Sequence, residues 1–123
     1  MTRIARVLSI ASSDSSGGAG IQADLRAFAA AGCHGTSVIV ALTAQNTREV
    51  RAVHAVPCDF VVAQLRAVFD DIGVDAAKTG MLFSAEVIES VATHLESHLV
   101  PLGVDPVMVA SSGARLLATT RSA

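Results

Sequence analysis

Residues 11–25, ASSDSSGGAGIQADL, contain three glycines within four positions, with serines before them and an aspartate on each side. The apolar run at residues 7–11 is typical of a β-strand. Residues 18–31 show the i, i+4, i+7 spacing of an amphipathic helix, carried by Ile21, Leu25 and Phe28. The stretch therefore predicts a strand, a glycine-rich turn and a helix, which together begin a β-α-β unit.

The rest of the chain alternates between apolar strands and amphipathic helices. Residues 36–44, TSVIVALTA, are almost entirely apolar and β-branched, which favours a strand covered on both faces. Two more strands are predicted at residues 74–80 and 99–107, and two more helices begin at Pro57 and after the N-cap residue Ser84. The residues expected to face the core are Val61, Leu65, Val68 and Ile72 in the first of these helices and Val87, Ile88, Val91 and Leu95 in the second.

This alternation predicts an α/β fold with a mostly parallel sheet flanked by helices and connected by right-handed crossovers. A length of 123 residues fits one domain. Residues 46–56, NTREVRAVHAV, do not fit the alternation. They form a long, charged segment that predicts either a hairpin or a flap over a site.

Composition restricts the partners and the compartment. The chain is 51% hydrophobic and 16% charged with a net charge of −2, and no basic patch indicates nucleic acid or an anionic membrane. Residues 27–47 lack charge, but polar residues and glycines interrupt them, whereas a membrane span needs ~20 mostly apolar residues. The first apolar run is too short for a signal peptide. Cys33 and Cys58 are expected as buried thiols, so we predict a cytoplasmic protein.

Polar or glycine-containing segments follow all four predicted strands. Ligands of parallel sheets bind beyond the carboxyl ends of the strands, so these segments are candidates for a common site. They are Ser12-Ser13-Asp14, Gln45-Asn46-Thr47, Thr79-Gly80-Met81 and Asp105-Pro106. We expect Asp24 and Gln45 to converge on one pocket at this edge.

The glycine-rich stretch is a poor candidate for a nucleotide-binding loop. Residues 18–23 match the dinucleotide pattern GxGxxG/A, but residues 12–17 separate it from the first strand. The second strand ends in Gln45-Asn46, without the acidic residue that the pattern requires. No Lys-Ser/Thr pair follows the glycines, as a Walker loop would need.

Three further groups leave alternatives open. Asp24 shares a helix face with the apolar stripe, so it is either exposed at the edge of the stripe or lies beneath the glycine turn to receive a ligand's hydroxyl or amine. Lys78, near a strand end, either reaches an anion or forms a structural ion pair. His94 and His98 have the spacing of metal ligands, but a solvated pair near a helix C-terminus is favoured over zinc because no carboxylate-rich motif accompanies them.

Four segments, taken in order, resemble the hydroxymethylpyrimidine/phosphomethylpyrimidine kinases of thiamine biosynthesis. They are SSDSSGGAGIQADL at 12–25, ALTAQNT at 41–47, DDIGVDAAKTGML at 70–82 and VDPVMVASSGARLL at 104–117. These kinases belong to the ribokinase-like superfamily, which also contains pyridoxal kinases. The resemblance implies a mostly parallel, helix-flanked sheet. It also implies ATP-dependent phosphorylation of the pyrimidine's hydroxymethyl group and then of the resulting monophosphate.

The resemblance also implies roles for individual residues. Asp24 would approach the hydroxymethyl group of the substrate, and Gln45 would read the edge of the aminopyrimidine with its amide. Met81 would pack on the ring. Asp105 would face the phosphates of ATP and a Mg²⁺ ion. Ser12 would lie in the substrate loop.

The chain departs from the family pattern at several positions. The family usually has Gly at Ser12, Pro at Ser15, Lys at Ser112 and Asp at Ala114. It also continues beyond the present sequence, into a Gly-Thr-Gly-Cys loop that stabilises the charge of the transferring phosphoryl group. We therefore interpret residues 1–123 as the N-terminal part of one ribokinase-like kinase domain, assign no catalytic residue to it, and expect it to be inactive alone.

Two alternatives remain beside this interpretation. The chain could be part of a pyridoxal-type kinase, or a non-catalytic module that binds a pyrimidine or forms oligomers. The fourth predicted strand, residues 99–107, is apolar, and an apolar strand at an open sheet edge invites pairing with another chain. We therefore expect a homo-oligomer or an aggregation-prone chain.

Overall fold

Strands and helices alternate along the chain in the computed structural model, which describes residues 3–104. Each predicted element is found, although the boundaries differ by a few residues. In chain order the elements are β1 (Arg6–Asp14), α1 (Gly20–Ala30), β2 (His34–Gln45), β3 (Val50–Ala55), α2 (Cys58–Ala67) with a π-helical turn (Val68–Ile72), β4 (Ala76–Thr79), α3 (Ala85–Ser97) and β5 (Leu102–Val104). The predicted strand at 99–107 is thus described only in part.

The sheet has the order β3-β2-β1-β4-β5. β1 is its centre and pairs in parallel with β2 and β4, while β5 pairs in parallel with β4. β3 pairs antiparallel with β2 and forms one edge. The prediction of a mostly parallel sheet is confirmed, and of the two interpretations of residues 46–56 the structure has the hairpin.

The main core lies between the sheet and helices α2 and α3. β1 contributes Leu8 and Ile10 to it, and β2 contributes Val38 and Val40, all almost completely buried. The helices add Val61, Leu65, Val87, Ile88, Val91 and Leu95. The prediction that β2 is covered on both faces is wrong for its last residues, because Leu42 is 46% exposed and the fully buried positions lie between 36 and 41.

The two helices of this layer give one wrong and one confirmed prediction from the sequence. Ile72 was expected on the core face of α2 but is exposed, because the π-helical turn changes the angle between successive side chains. In α3 the cap is the expected one, since the Ser84 hydroxyl accepts a hydrogen bond from the Val87 N–H at 3.2 Å.

Two polar contacts complete the sheet at places where strand pairing stops. β3 pairs with β2 only from Ala41 onward, and before that point the side-chain amide of Gln64 takes its place. Gln64 accepts a hydrogen bond from the Ile39 N–H at 2.8 Å and donates one to the Ile39 carbonyl at 2.9 Å. The amide of Gln64 therefore satisfies the main chain of Ile39 much as a neighbouring strand would.

At the amino ends of β1 and β4, Asp75 binds two arginines. Its carboxylate accepts a hydrogen bond from the main-chain N–H of Arg6 at 2.7 Å and lies 3.0 Å from the guanidinium of Arg3. The side-chain hydrogen bond from Arg6, followed by that from Arg3, holds the pKa of Asp75 far below its usual value. These contacts fix the ends of the two central strands opposite the predicted site.

Candidate functional site

The loop after β1 is organised by the carboxylate of Asp14. Its two oxygens accept hydrogen bonds from the N–H and hydroxyl of Ser16, at 2.8 and 2.7 Å, and from the N–H of Ala19 at 2.8 Å. Asp14 is buried, yet these donors, with the Ser16 hydroxyl first, lower the pKa of its carboxyl. The sequence marked Asp14 only as a polar strand end, whereas the structure makes it the residue that shapes the glycine loop.

Gly20 begins α1 in direct contact with the main chain of β1. Its φ of +61° lies in the left-handed region, and a Cβ there would clash with the carbonyl oxygen of Ser12. At Gly20 the absence of a side chain thus permits a close approach to the chain's own strand.

Gln22 is a site residue that the sequence analysis missed. Its side-chain amide accepts a hydrogen bond from the Asp14 N–H at 2.8 Å and donates one to the Ser13 hydroxyl at 2.8 Å. Helix α1 is thereby fixed to the carboxyl end of β1. In the sequence, only its position two residues after Gly20 could have pointed to Gln22. Its hydrogen-bond partners could not be predicted, because they depend on how the loop folds.

Asp24 faces the sheet and is paired within the chain. Its carboxylate lies 2.8 and 2.9 Å from the ammonium of Lys78 and accepts a hydrogen bond from the Ser9 hydroxyl at 2.7 Å. The side chains of Asp24 and Lys78 are 17% and 26% exposed. The alternative of an exposed Asp24 is therefore wrong, and its contact with a ligand stays a prediction. For Lys78, the structural ion pair is the alternative observed.

Three predicted site residues lie at the carboxyl ends of the parallel strands. Half-buried Ser12 lies near the end of β1, Gln45 is the last residue of β2, and half-buried Met81 follows β4 by two residues. The Ser15 hydroxyl joins the first two segments by donating to the carbonyl of Gln45 at 2.6 Å and lying 2.7 Å from its N–H. Asp105, predicted for phosphate and Mg²⁺, lies outside the described residues.

The side chain of Gln45 has one hydrogen bond in the part of the chain that the structure describes. Its Oε1 lies 3.1 Å from the hydroxyl of Thr43, which is also 3.0 Å from the carbonyl of Ser13. The amide nitrogen Nε2 makes none among residues 3–104. Gln45 can therefore present both a donor and an acceptor beyond the strand end.

The two histidines at the end of α3 lie on the other side of the sheet from Asp24, and of the expected solvated pair His98 is exposed whereas His94 is half-buried. The rings of His94 and His98 stack at 4.4 Å, and Phe69 packs against His94 at 4.7 Å. Nε2 of His94 is buried and has no hydrogen-bond partner among the described residues. Burial, and then the nearby charges of His98 and Arg66, lower the pKa of His94.

Other expectations concern the thiols, metals and membranes. Cys33 and Cys58 are free thiols, half-buried rather than fully buried. Within residues 3–104 there is no group of three or more His, Cys, Asp or Glu side chains that could hold a metal ion. None of the helices in that part of the chain is long and apolar enough to cross a membrane.

Comparisons with known proteins agree with the motifs. A family model described as phosphomethylpyrimidine kinase matches residues 14–123. The hydroxymethylpyrimidine/phosphomethylpyrimidine kinase of Streptomyces coelicolor is 54% identical over 114 residues, which cover 93% of this chain and 42% of that protein. The crystal structure of phosphomethylpyrimidine kinase from Clostridium difficile 630 has a TM-score of 0.80 and 50% identity, and the match covers 89% of this chain and 48% of that one.

A pyridoxal kinase has the same fold at lower identity. The Staphylococcus aureus enzyme in complex with AMP-PCP has a TM-score of 0.80 and 34% identity, and the match covers 93% of this chain and 42% of that one. The present chain thus spans less than half the length of each of these three proteins. The ribokinase-like α/β fold is confirmed, and the family match over residues 14–123 shows that the chain belongs to the phosphomethylpyrimidine kinase family.

Proposed function

We propose that this chain supplies the substrate-binding side of a kinase for 4-amino-5-hydroxymethyl-2-methylpyrimidine and its monophosphate, in thiamine biosynthesis. The observation that carries the proposal is the arrangement of Ser12, Gln45 and Met81 at the carboxyl ends of β1, β2 and β4. Ligands of open parallel sheets bind at this edge. The family to which the chain belongs supplies the identity of the pyrimidine.

Each of these side chains has a role that its chemistry supports. The Gln45 amide donates through Nε2 to a ring nitrogen and accepts through Oε1 from the exocyclic amine of the pyrimidine. The Met81 thioether packs on the ring face, where a polarizable side chain is favourable. Ser12 borders the ring from the substrate loop, whose shape is held by Asp14 and Gln22.

The phosphoryl donor in this proposal is ATP. The complex of the related S. aureus kinase with AMP-PCP, an ATP analogue, supports this choice. Within residues 3–104 there is no cluster of three or more metal-ligating side chains, and Mg²⁺ in such sites is held by one or two carboxylates together with the phosphates. Asp105 remains the residue proposed from the sequence to face Mg²⁺ and the phosphates.

Calorimetric titration of the 123-residue chain with the hydroxymethylpyrimidine tests the proposal. Gln45→Ala should weaken binding by about 1–3 kcal/mol, because polar groups of the ligand are left unpaired. Glu96→Ala, at an exposed position of α3, should bind as the wild type does. Equal affinities of wild type and Gln45→Ala would refute the role of Gln45, and no binding by the wild type would refute the proposal.

Pyridoxal is the comparison ligand for the pyridoxal-kinase alternative. It lacks the amino group next to a ring nitrogen that Gln45 would recognise, so the aminopyrimidine should bind more tightly. The opposite order of affinities would support the alternative. Light scattering of the same sample addresses self-association, which stays a prediction and is supported by half-exposed Val50 and Val53 on the edge strand β3.

A further inference from the structure

The carboxylate of Asp24 is held from two directions by residues of the central strands. Ser9 of β1 and Lys78 of β4 are direct neighbours across the parallel pair, so their side chains emerge on the same face of the sheet. Helix α1 brings Asp24 over this pair. Asp24 Oδ2 is 2.7 Å from the Ser9 hydroxyl and 2.8 Å from Lys78 Nζ, and Oδ1 is 2.9 Å from the same Nζ.

An ion pair as buried as this one is not expected to add much to the stability of the fold. Ser9 is completely buried, and the side chains of Asp24 and Lys78 are only 17% and 26% exposed. Removing two charges from water costs free energy that their attraction often does not recover, and well-packed apolar residues in such positions are often as stable. The cluster therefore calls for a role other than packing.

The ammonium of Lys78 lies beside Gly80, which follows β4 at the edge of the sheet where Ser12 and Met81 lie. Nζ of Lys78 is 3.8 Å from the point that a Cβ on Gly80 would occupy, and Gly80 follows the last residue of β4. The same Cβ would be 3.0 Å from Cβ of Ala11, next to Ser12. A side chain at position 80 would thus begin within van der Waals distance of the ammonium.

Among residues 3–104, the hydrogen bonds made to the Asp24 carboxylate leave one of its acceptor directions open. A carboxylate has about four lone-pair directions, two on each oxygen. Ser9 and Lys78 both donate to Oδ2, and Lys78 also donates to Oδ1. We propose that Lys78 is a positioning residue which, with Ser9, fixes Asp24 so that Oδ1 accepts a hydrogen bond from the hydroxymethyl group of the pyrimidine. This inference rests on the proposed function and assigns the substrate contact to one oxygen atom.

The experiment compares two ligands that differ only in the hydroxyl group. These are 4-amino-5-hydroxymethyl-2-methylpyrimidine and 4-amino-2,5-dimethylpyrimidine, titrated into the 123-residue chain. Lys78→Met should weaken binding of the hydroxymethyl ligand about tenfold, the loss expected for a displaced charge-assisted hydrogen bond. It should leave binding of the dimethyl ligand within about twofold, because that ligand does not use Asp24.

Two further variants keep the test decisive. Ser9→Ala removes only a neutral donor and should weaken the hydroxymethyl ligand about threefold without affecting the dimethyl ligand, which decides the matter if Lys78→Met does not fold. Arg66→Met removes a positive charge from the exposed surface of α2 and is the matched control. Equal losses of affinity for both ligands, or no loss for either, would overturn the role of Lys78 but not the proposed function. A wild-type chain that binds neither ligand would overturn the proposed function as well.

Discussion

Gly20 and Ser12 are in contact through their main chains, and the contact leaves no room for a side chain on Gly20. This single approach fixes where α1 begins relative to the end of β1. Asp14, two residues beyond Ser12, then closes the loop between them through the Ser16 and Ala19 N–H groups. The geometry of the proposed substrate loop therefore depends on a glycine that need not touch the substrate.

Gly20→Ala should destabilise the chain by about 3 kcal/mol or more, because strain in the left-handed region adds to a clash with Ser12. Gly32→Ala is the matched control. Gly32 also has a positive φ, +78°, but a Cβ there meets nothing within 4 Å, so its replacement should cost only about 1–2 kcal/mol. Urea unfolding followed by circular dichroism measures both. Equal losses would show that the clash with Ser12 is relieved without cost.

Acid should destabilise the fold through Asp75. The arginines hold its pKa below the usual 3.8, so its contribution to stability is present above about pH 4 and is lost as the pH falls further. In urea unfolding between about pH 5 and pH 2, Asp75→Asn should start less stable than the wild type and lose less on acidification. Arg6→Met should flatten the curve in the same way. Parallel curves for wild type and Asp75→Asn would contradict this assignment.

His94 should make the stability depend on pH in a higher range. Burial lowers its pKa below 6.5, so the unfolded chain binds the proton more readily, and stability falls as the pH drops through about 6.5. His94→Leu should reduce the fall between about pH 7 and pH 5. His98→Gln removes one of the charges that lower the pKa of His94, so an NMR titration of His94 should show a higher midpoint in this variant. An unchanged midpoint would exclude His98 as a cause.

Gln64 should be important for stability although it lies far from the proposed site. Gln64→Leu leaves the N–H and carbonyl of Ile39 unpaired and should cost about 1–3 kcal/mol. Gln64→Glu keeps the acceptor for the N–H and loses the donor to the carbonyl, so its loss should be intermediate at neutral pH. Thermal unfolding provides the comparison. A Leu variant as stable as the wild type would mean that water replaces the amide.

The fold could be predicted from the sequence because its main signals are local. Apolar runs identified the strands, i, i+4 spacing identified the helices, and Ser84 is an N-cap by residue type alone. The predicted burial of Ile72 was wrong because the spacing argument assumes an α-helix, whereas the structure has a π-helical turn there. The buried Nε2 of His94 depends on Phe69 and His98 packing around it, which spacing along α3 does not reveal.

The site could be predicted only as far as the ends of the strands. Ser12, Gln45 and Met81 lie where parallel topology requires, because residues after parallel strands share one edge. The partner of Asp24 is 54 positions away, and the two side chains meet only because β4 pairs with β1 beneath α1. Gln22 and Gln64 were missed for the same reason, since an amide that binds a distant main chain resembles any surface glutamine in the sequence.

The β2–β3 hairpin contains both the best-placed donor for a ligand and the least buried part of the sheet. All six residues of β3 are exposed, so separating it from β2 would uncover little apolar surface. The Ser15 hydroxyl holds the end of β2 to the neighbouring loop, and we predict that the hairpin which carries Gln45 opens while the core stays folded. A pyrimidine bound by Gln45 would close such openings, so ligand affinity and protection of the hairpin amides from hydrogen exchange should rise together.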